Sequence, residues 1–326
     1  MTMESNVNDP AGHEATAPRR EASVWARLIP AALTVVIFGV IFWRIPFDAF
    51  WQAVSGARLL PFFALMGSFS LCFFLADSAV LNALIRWFHG PIRYRELLPV
   101  RASTYIVSII NTQLAQAALA LYLNRRFRTP LGEITSTVVL LILLEATNLI
   151  FFATVGSAAF PGGTPAVFFA LPAVLALIWI IVVGVARGGL GALGRRVGGN
   201  VLLSTFRRIR LRQGLAILCL KGSVFFLSLL VHAKALTFFG IEIPVLPLLA
   251  FLPIVYLVAA LPVTVAHLGT SQAAWIFFFG SYAAEADLLA YSLAAHLTFM
   301  LANGSFGLIF LPRVYADLFS RGGRES

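Results

Sequence analysis

The stretch SIINTQLAQAALALYL, residues 108–123, decides the fold because it places an asparagine and two glutamines inside an apolar run. Basic side chains flank this run on both sides: Arg93, Arg95 and Arg101 before it, and Arg125, Arg126 and Arg128 after it. Arginine-rich connections of membrane proteins stay on the cytoplasmic side. If both flanks stay there, the run enters the membrane and returns to the side from which it came.

The composition of the whole chain is that of a protein embedded in a lipid bilayer. Of 326 residues, 60% are hydrophobic and 12% are charged, with a mean hydropathy of +0.89, which is far outside the range of soluble domains. The net charge of +10 comes from arginines in short connections. This placement is typical of topology signals and lipid-headgroup contacts, so no nucleic-acid partner is expected. The sequence predicts an all-α polytopic integral membrane protein.

Eight apolar runs follow one another with short connections. They cover roughly residues 27–43, 60–88, 98–123, 134–159, 165–187, 214–240, 247–282 and 287–311. The connections at 157–165, 240–244 and 282–287 contain no Lys or Arg, so we expect them on the outer side. The run at 247–282 therefore also returns to its side of entry, and it does so from the face opposite to that of 98–123.

Two interpretations of the topology remain open. About six crossing helices plus two opposed re-entrant segments place every arginine-rich connection on one side and resemble an inverted repeat. Eight transmembrane helices would instead place the arginine-rich residues 188–213 outside, against the charge rule. We favour the first, with both termini cytoplasmic in a multi-pass protein of the cell inner membrane. The predicted boundaries are a disordered cytoplasmic tail at 1–24, the transmembrane domain at 25–313 and a cytoplasmic tail at 314–326.

A second polar cluster interrupts VAHLGTSQAAWIFFFG, residues 265–280. Non-helical backbone at membrane depth is tolerated only where protein or a wet cavity satisfies it, and opposed broken segments are typical of a transporter's binding site. We expect the turns NTQLAQ and AHLGTSQ to meet near the midplane of the bilayer. The candidate cavity residues are polar side chains of both turns and two charged residues of neighbouring runs: Asn111, Gln113, Gln116, Glu145, Lys221, His267, Ser271 and Gln272.

Glu145 lies deep in its run, where a charged side chain costs about 2.5–3.5 kcal/mol and needs a partner. One interpretation pairs it with Lys221 or Arg101 beside a hydrated cavity, where the cations receive a lipid phosphate. The other is a structural ion pair between helices, with lysines that extend to the interface. The sequence shows no pattern of metal ligands and no cofactor motif, so we expect neither. Residues 200–213 have the pattern of an amphipathic helix that binds anionic lipid. The alternative is a cluster of arginines that acts only as a topology signal.

Two motifs of the chain resemble those of the flippase-like family that includes the transmembrane region of lysylphosphatidylglycerol synthases. The first motif is matched by residues 111–150, which contain LGE before an apolar helix, and the second by residues 261–279. The sequence departs from the family at three positions, because Gln116 stands where the family has Glu, and Ser271 and Gln272 stand where it has Arg-Glu. The resemblance covers most of residues 27–313 and implies a membrane domain that moves a lipid headgroup. No aminoacyl-transferase segment is present, so lysyl transfer is not implied.

These observations predict translocation of a phospholipid or lipid-linked headgroup across the bacterial inner membrane, with membrane lipids, chiefly anionic, as partners. The alternative is a non-catalytic membrane subunit that scaffolds a lipid- or glycan-modifying enzyme. An enzyme is the third hypothesis. An intramembrane hydrolase could use Ser271 with His296, but the glycine expected after the nucleophile is missing.

Overall fold

The computed structural model describes residues 24–110, 112–160, 166–189, 191, 196, 199–261 and 263–320. The regular elements in these ranges are helices, which confirms the predicted all-α polytopic class. They are, in chain order, α1 (Val24–Arg44), α2 (Phe47–Gly56), α3 (Leu59–Phe88), α4 (Tyr94–Ile110), α5 (Thr112–Phe127), α6 (Leu131–Ala159), α7 (Leu171–Ala186), α8 (Ser204–Arg208), α9 (Leu211–Thr237), α10 (Val245–Ala259), α11 (Thr270–Phe279) and α12 (Glu285–Ser320).

Within the described residues, five helical segments are long and apolar enough to cross a bilayer. They are Leu59–Phe88, Leu131–Ala159, Phe168–Ala186, Leu211–Thr237 and Glu285–Phe310. Helices α1 and α2 meet at a bend of 88° and count as a sixth span when taken together. Large apolar side chains such as Phe63, Ile142 and Phe226 remain exposed on these helices, as expected where the neighbour is lipid hydrocarbon.

Helices α4 and α5 form the first hairpin, whose two open ends lie side by side. Glu96, in the first turn of α4, pairs with Arg126, in the last turn of α5, at 3.3 Å. A continuous helix would separate these residues by roughly 45 Å. Leu97 and Val100 of α4 also share one buried cluster with Leu119 and Leu123 of α5. The chain therefore turns back near residue 111, as the polar stretch at 108–123 predicts.

Helices α10 and α11 form the second hairpin. The ring of Phe251 in α10 lies 5.3 Å from that of Phe278 and 5.9 Å from that of Phe279 at the end of α11. A continuous helix would separate Phe251 from Phe279 by roughly 42 Å. The tip of this hairpin is the irregular backbone between Ala260 and Gly269, which includes a 3-10 turn at Val265–His267.

The contacts at the helix ends sort the molecule into two sides. On the side that we call the basic side, Arg208 before α9 pairs with Glu133 at the start of α6 at 3.1 Å, and Glu133 lies close in sequence to the open end of α5 at Phe127. On the opposite side, Arg44 at the end of α1 pairs with Glu285 at the start of α12. There the backbone N–H of Arg58 also donates to the carbonyl of Phe238 at 2.8 Å.

This arrangement places three crossing helices and one hairpin in each half of the described chain. Each crossing helix takes the chain to the other side of the membrane, whereas a hairpin returns it to the same side. After three crossings the second half therefore begins on the side opposite to the first, which is the inverted arrangement expected from the sequence. The entering helix of each hairpin contains a proline, Pro99 in α4 and Pro253 in α10. The structure thus follows the six-crossing interpretation, with the two hairpins entering from opposite sides.

Glycines allow each hairpin to pack closely against a crossing helix of the other half. A Cβ on Gly307 of α12 would lie 2.5 Å from Cγ1 of Ile106 and 2.7 Å from the carbonyl oxygen of Ala102, both in α4. A Cβ on Gly156 of α6 would lie 2.5 Å from the backbone nitrogen of Ala250 in α10. The two hairpins are therefore held by equivalent helix contacts in the two halves.

The structure corrects the prediction at one segment. The helix predicted over 200–213 is broken, because α8 ends at Arg208 and α9 begins only at Leu211, and Phe206 is buried instead of facing lipid. The tail predicted at 314–326 stays a prediction: α12 continues to Ser320, and residues 321–326 lie outside the described part. The tail predicted at 1–24 lies outside it except for Val24, where α1 begins.

Candidate functional site

A cavity of about 460 Å³ lies where the tips of the two hairpins meet. The first hairpin contributes Ser108 and Gln116 to its wall, and the second contributes Ala266, His267 and Ser271. Other residues of the two hairpins, together with helices α3, α6, α9 and α12, supply the rest of the lining, which is aromatic and aliphatic with charged and polar groups between. In the described chain, Gln116 of the first polar turn thus lines the same cavity as His267 and Ser271 of the second.

One ion pair anchors the first hairpin to α3. The Nε of Arg101 donates to Oδ2 of Asp77 at 2.6 Å, and the hydroxyl of Tyr105 donates to the same oxygen at 2.7 Å. The guanidinium also lies 5.2 Å from the centre of the Tyr105 ring. The Asp77 side chain is 7% exposed and that of Arg101 is 11% exposed. All three groups are thus engaged with one another, so this cluster acts as a fixed strut at the cavity wall.

A second ion pair joins α6 to α9 across the cavity. Lys221 donates to Oε2 of Glu145, which is one of the two pairings that the sequence suggested. The two partners differ in exposure, since the Lys221 side chain is 11% exposed and that of Glu145 is 46% exposed. Glu145 therefore has open space beside it, and a ligand can reach this pair more easily than the Asp77–Arg101 pair.

A chain of hydrogen bonds lines the same cavity between α9, α10 and α12. The hydroxyl of Tyr291 lies 2.5 Å from Nδ1 of His232, and the hydroxyl of Tyr256 lies 2.7 Å from Nε2 of that ring. The Tyr256 hydroxyl also lies 2.6 Å from Oγ of Ser228. His232 and Tyr291 are buried. The chain links the second hairpin, through Tyr256, to two crossing helices.

The tip of the second hairpin has unusual backbone geometry. Ala266 and His267 adopt φ angles of 49° and 60°, and Gly269 adopts a φ of 90°. The left-handed region costs a non-glycine residue roughly 1–2 kcal/mol, so the surrounding structure must hold this turn in place. The side chain of Gln272 does so in part, because its Oε1 accepts a hydrogen bond from the backbone N–H of Gly269 at 2.7 Å and caps α11.

The structure brings together five of the eight residues predicted for the cavity. Gln116, Glu145, Lys221, His267 and Ser271 line it. Gln272 does not line it and caps the neighbouring helix instead. Asn111 lies outside the described residues, and Gln113 lies in α5 with a side chain that is not part of the described set.

Sequence reasoning left out the two other polar clusters. Asp77 is a charged residue deep in an apolar run, but Arg101 was considered as a partner of Glu145 and not of Asp77. The partners of His232 lie 24 and 59 residues away, and no local pattern joins them. Gln272 stands three positions after Gly269, which is the spacing at which a Gln side chain reaches back to the backbone N–H at the start of a helix, as in one half of a capping box. That signal could have identified the role of Gln272.

No family model matches this chain, and no curated relative matches it either. The resemblance to the flippase-like family therefore stays a prediction, and the cavity itself has to support any function.

Proposed function

We propose that this protein translocates a phospholipid or a lipid-linked headgroup across the membrane, as the resemblance to the flippase-like family implies. The observation that carries the proposal is the cavity between two opposed hairpin tips, which contains two ion pairs inside an apolar helical bundle. Charged groups at membrane depth are costly and are typical of substrate pathways. By the charge rule, the basic side is assigned to the cytoplasm of a bacterial cell.

The volume of the cavity suits a headgroup. About 460 Å³ falls within the range of sites for small molecules, roughly 300–1,000 Å³, and it is too small for a headgroup together with two acyl chains. The acyl chains would stay in the surrounding lipid while the headgroup enters the protein. The apolar exposed faces of the crossing helices suit such an arrangement.

The half-exposed ion pair supplies a way to hold a phosphate. A phosphate oxygen that approaches Lys221 replaces the Glu145 carboxylate as acceptor of the ammonium group, and Glu145 turns into the space beside it. The ammonium is never left without a partner, so the phosphate avoids most of the cost of entering hydrocarbon. Gln116, Ser271 and His267 supply hydrogen bonds to the remaining polar groups of the ligand.

The proposal is tested in proteoliposomes with fluorescent phosphatidylglycerol and polyprenyl-phosphate analogues. The wild type is expected to move at least one analogue between leaflets, and Glu145→Gln is expected to slow this movement by about tenfold or more. Glu242→Gln is the matched control, because Glu242 is exposed in the connection after α9, away from the cavity. Folded wild-type protein that moves neither analogue would overturn the proposal and favour the scaffolding alternative.

A further inference from the structure

The imidazole of His232 uses both of its nitrogens in hydrogen bonds to tyrosine hydroxyls, Tyr291 at Nδ1 and Tyr256 at Nε2. A neutral imidazole has one N–H donor and one acceptor nitrogen. One tyrosine therefore donates to the ring while the other accepts from it. A protonated ring has two donors and no acceptor, so the tyrosine that donated must lose its hydrogen bond or reorient.

The loss of these hydrogen bonds would release the second hairpin from its neighbouring helices. Tyr256 is three residues before the end of α10, next to the tip of the second hairpin, and its bonds to His232 and Ser228 tie it to α9. Tyr291 ties the same imidazole to α12. The first hairpin is held by the Asp77–Arg101 ion pair, which contains no group that titrates near neutral pH. Of these two anchors, only the second is thus built around an imidazole, a side chain that can take up a further proton.

The surroundings of His232 offer no charge to balance a proton. The groups that face its ring are Phe69 of α3, Tyr256 of α10, Trp275 of α11 and Tyr291 of α12, and none of them is ionised near neutral pH. The charged groups of the cavity, Asp77 with Arg101 and Glu145 with Lys221, are paired among themselves. A proton can nevertheless arrive, because His232, Tyr256 and Ser228 all line the cavity.

We infer that His232 is a proton-binding site which couples proton movement to the translocation proposed above. A proton from cavity water binds the imidazole, the bond to the donating tyrosine is lost, and the second hairpin separates from its neighbours. When the hairpin returns, the proton leaves to cavity water and the neutral hydrogen-bond chain forms again. The inference rests on the proposed function for its transport step but not for its proton-binding step.

Proton binding is measured through Trp275, whose ring lies 5.8 Å from that of His232. In a variant that keeps Trp275 and replaces the five other tryptophans with phenylalanine, we expect fluorescence to fall with acidification in a one-proton transition. His232→Gln is expected to abolish the transition, since glutamine can donate and accept but does not titrate in this range. His89→Gln, on the basic side and outside the cavity, is the matched control and should retain it. A transition that is absent, or that persists in His232→Gln, overturns the inference.

Coupling is measured as movement of fluorescent phosphatidylglycerol in proteoliposomes with an imposed pH gradient. For one proton per lipid, a gradient of one pH unit can support up to about a tenfold lipid asymmetry. His232→Gln, whose side chain cannot take up the proton that releases the hairpin, should lose this asymmetry, and His89→Gln should retain it. If the wild type exchanges lipid between leaflets at a ratio that does not depend on the pH gradient, the coupling is overturned and the proposed function stays intact. Folded wild type that moves no lipid overturns the proposed function and the coupling together, while the Trp275 titration still decides proton binding.

Discussion

Asp77 and Glu145 are both carboxylates in apolar helices, but their exposure predicts different consequences of mutation. Asp77→Ala leaves the Arg101 guanidinium, 11% exposed, without its carboxylate, and the loss of one partner of a buried pair costs about 3–5 kcal/mol. Glu145→Gln affects a side chain that is 46% exposed, so a smaller loss is expected. The measurement is the free energy of unfolding in detergent by denaturant titration. The double variant Asp77→Ala/Arg101→Met should recover part of the loss in unfolding free energy. Equal losses for Asp77→Ala and Glu145→Gln would contradict the structural role assigned to the Asp77–Arg101 pair.

His89, which follows α3 on the basic side, predicts a pH dependence of stability. Its Nε2 lies 2.7 Å from Oγ1 of Thr137. Burial, reinforced by the positive charge of Arg208 and opposed by Glu133, lowers the pKa of His89 from its ordinary value of 6.5. The folded state therefore favours the neutral ring, and its stability falls as the pH drops below about 6.5 because the unfolded state binds the proton more readily. Melting temperatures from pH 7.5 to pH 5 should fall less in His89→Gln than in the wild type. Equal falls would exclude this contribution.

The hairpins depend on close helix contacts, so glycine substitutions test the packing of whole elements. Gly307→Ala would place a methyl group 2.5 Å from Ile106 and 2.7 Å from the backbone of Ala102, which forces α12 and α4 apart. We expect a loss of about 1–3 kcal/mol in unfolding free energy. Gly67→Ala in α3 is the matched control, since nothing lies within 4 Å of its added methyl group, and helix propensity predicts a gain of up to about 1 kcal/mol. A stable Gly307→Ala with unchanged activity would show that the contact is not needed.

A helix or hairpin could be predicted from the sequence where the residues that determine it lie close together along the chain. The first hairpin could be predicted because its polar interruption and its arginine flanks lie within about 35 residues. The second could be predicted because connections without Lys or Arg lie on both sides of residues 247–282. The break of the predicted helix at 200–213 could not, since it arises from tertiary contacts. The backbone N–H of Thr205 donates to Oγ of Ser136, and its hydroxyl lies 3.0 Å from that of Thr137. These contacts hold α8 against α6 and override the amphipathic pattern.

The topology of the whole molecule predicts which positions share a side of the membrane. Arg95→Cys and Arg125→Cys, both exposed near the open ends of the first hairpin, should react with a membrane-impermeant thiol reagent from one side. Glu242→Cys should react from the other. The natural Cys72 and Cys219 are both exposed and must first become serine. Reaction of positions 95 and 125 from opposite sides would exclude the first hairpin and favour eight crossings.

The charge rule predicts this topology because it acts on the distribution of arginines along the entire chain. The cavity needed more, since its composition depends on which helices become neighbours. Glu145 and Lys221 could be paired by reasoning because isolated charges in apolar runs need partners. The bonds between His232, Tyr256 and Tyr291 could not be predicted, because tyrosine and histidine are common packing residues in such helices and only the fold brings these three together.

The pairing of charges in the cavity also determines how the protein responds to voltage. Two carboxylates face two cations there, so these four side chains sum to zero. A membrane potential of 100 mV does work of about 2.3 kcal/mol on each net charge that moves across it and almost none on a neutral group. If the protein translocates lipid as proposed, these four side chains therefore add no net charge to the reorientation of the empty cavity. Any current recorded during turnover would measure the charge of the cargo, proton or headgroup, and not that of the protein.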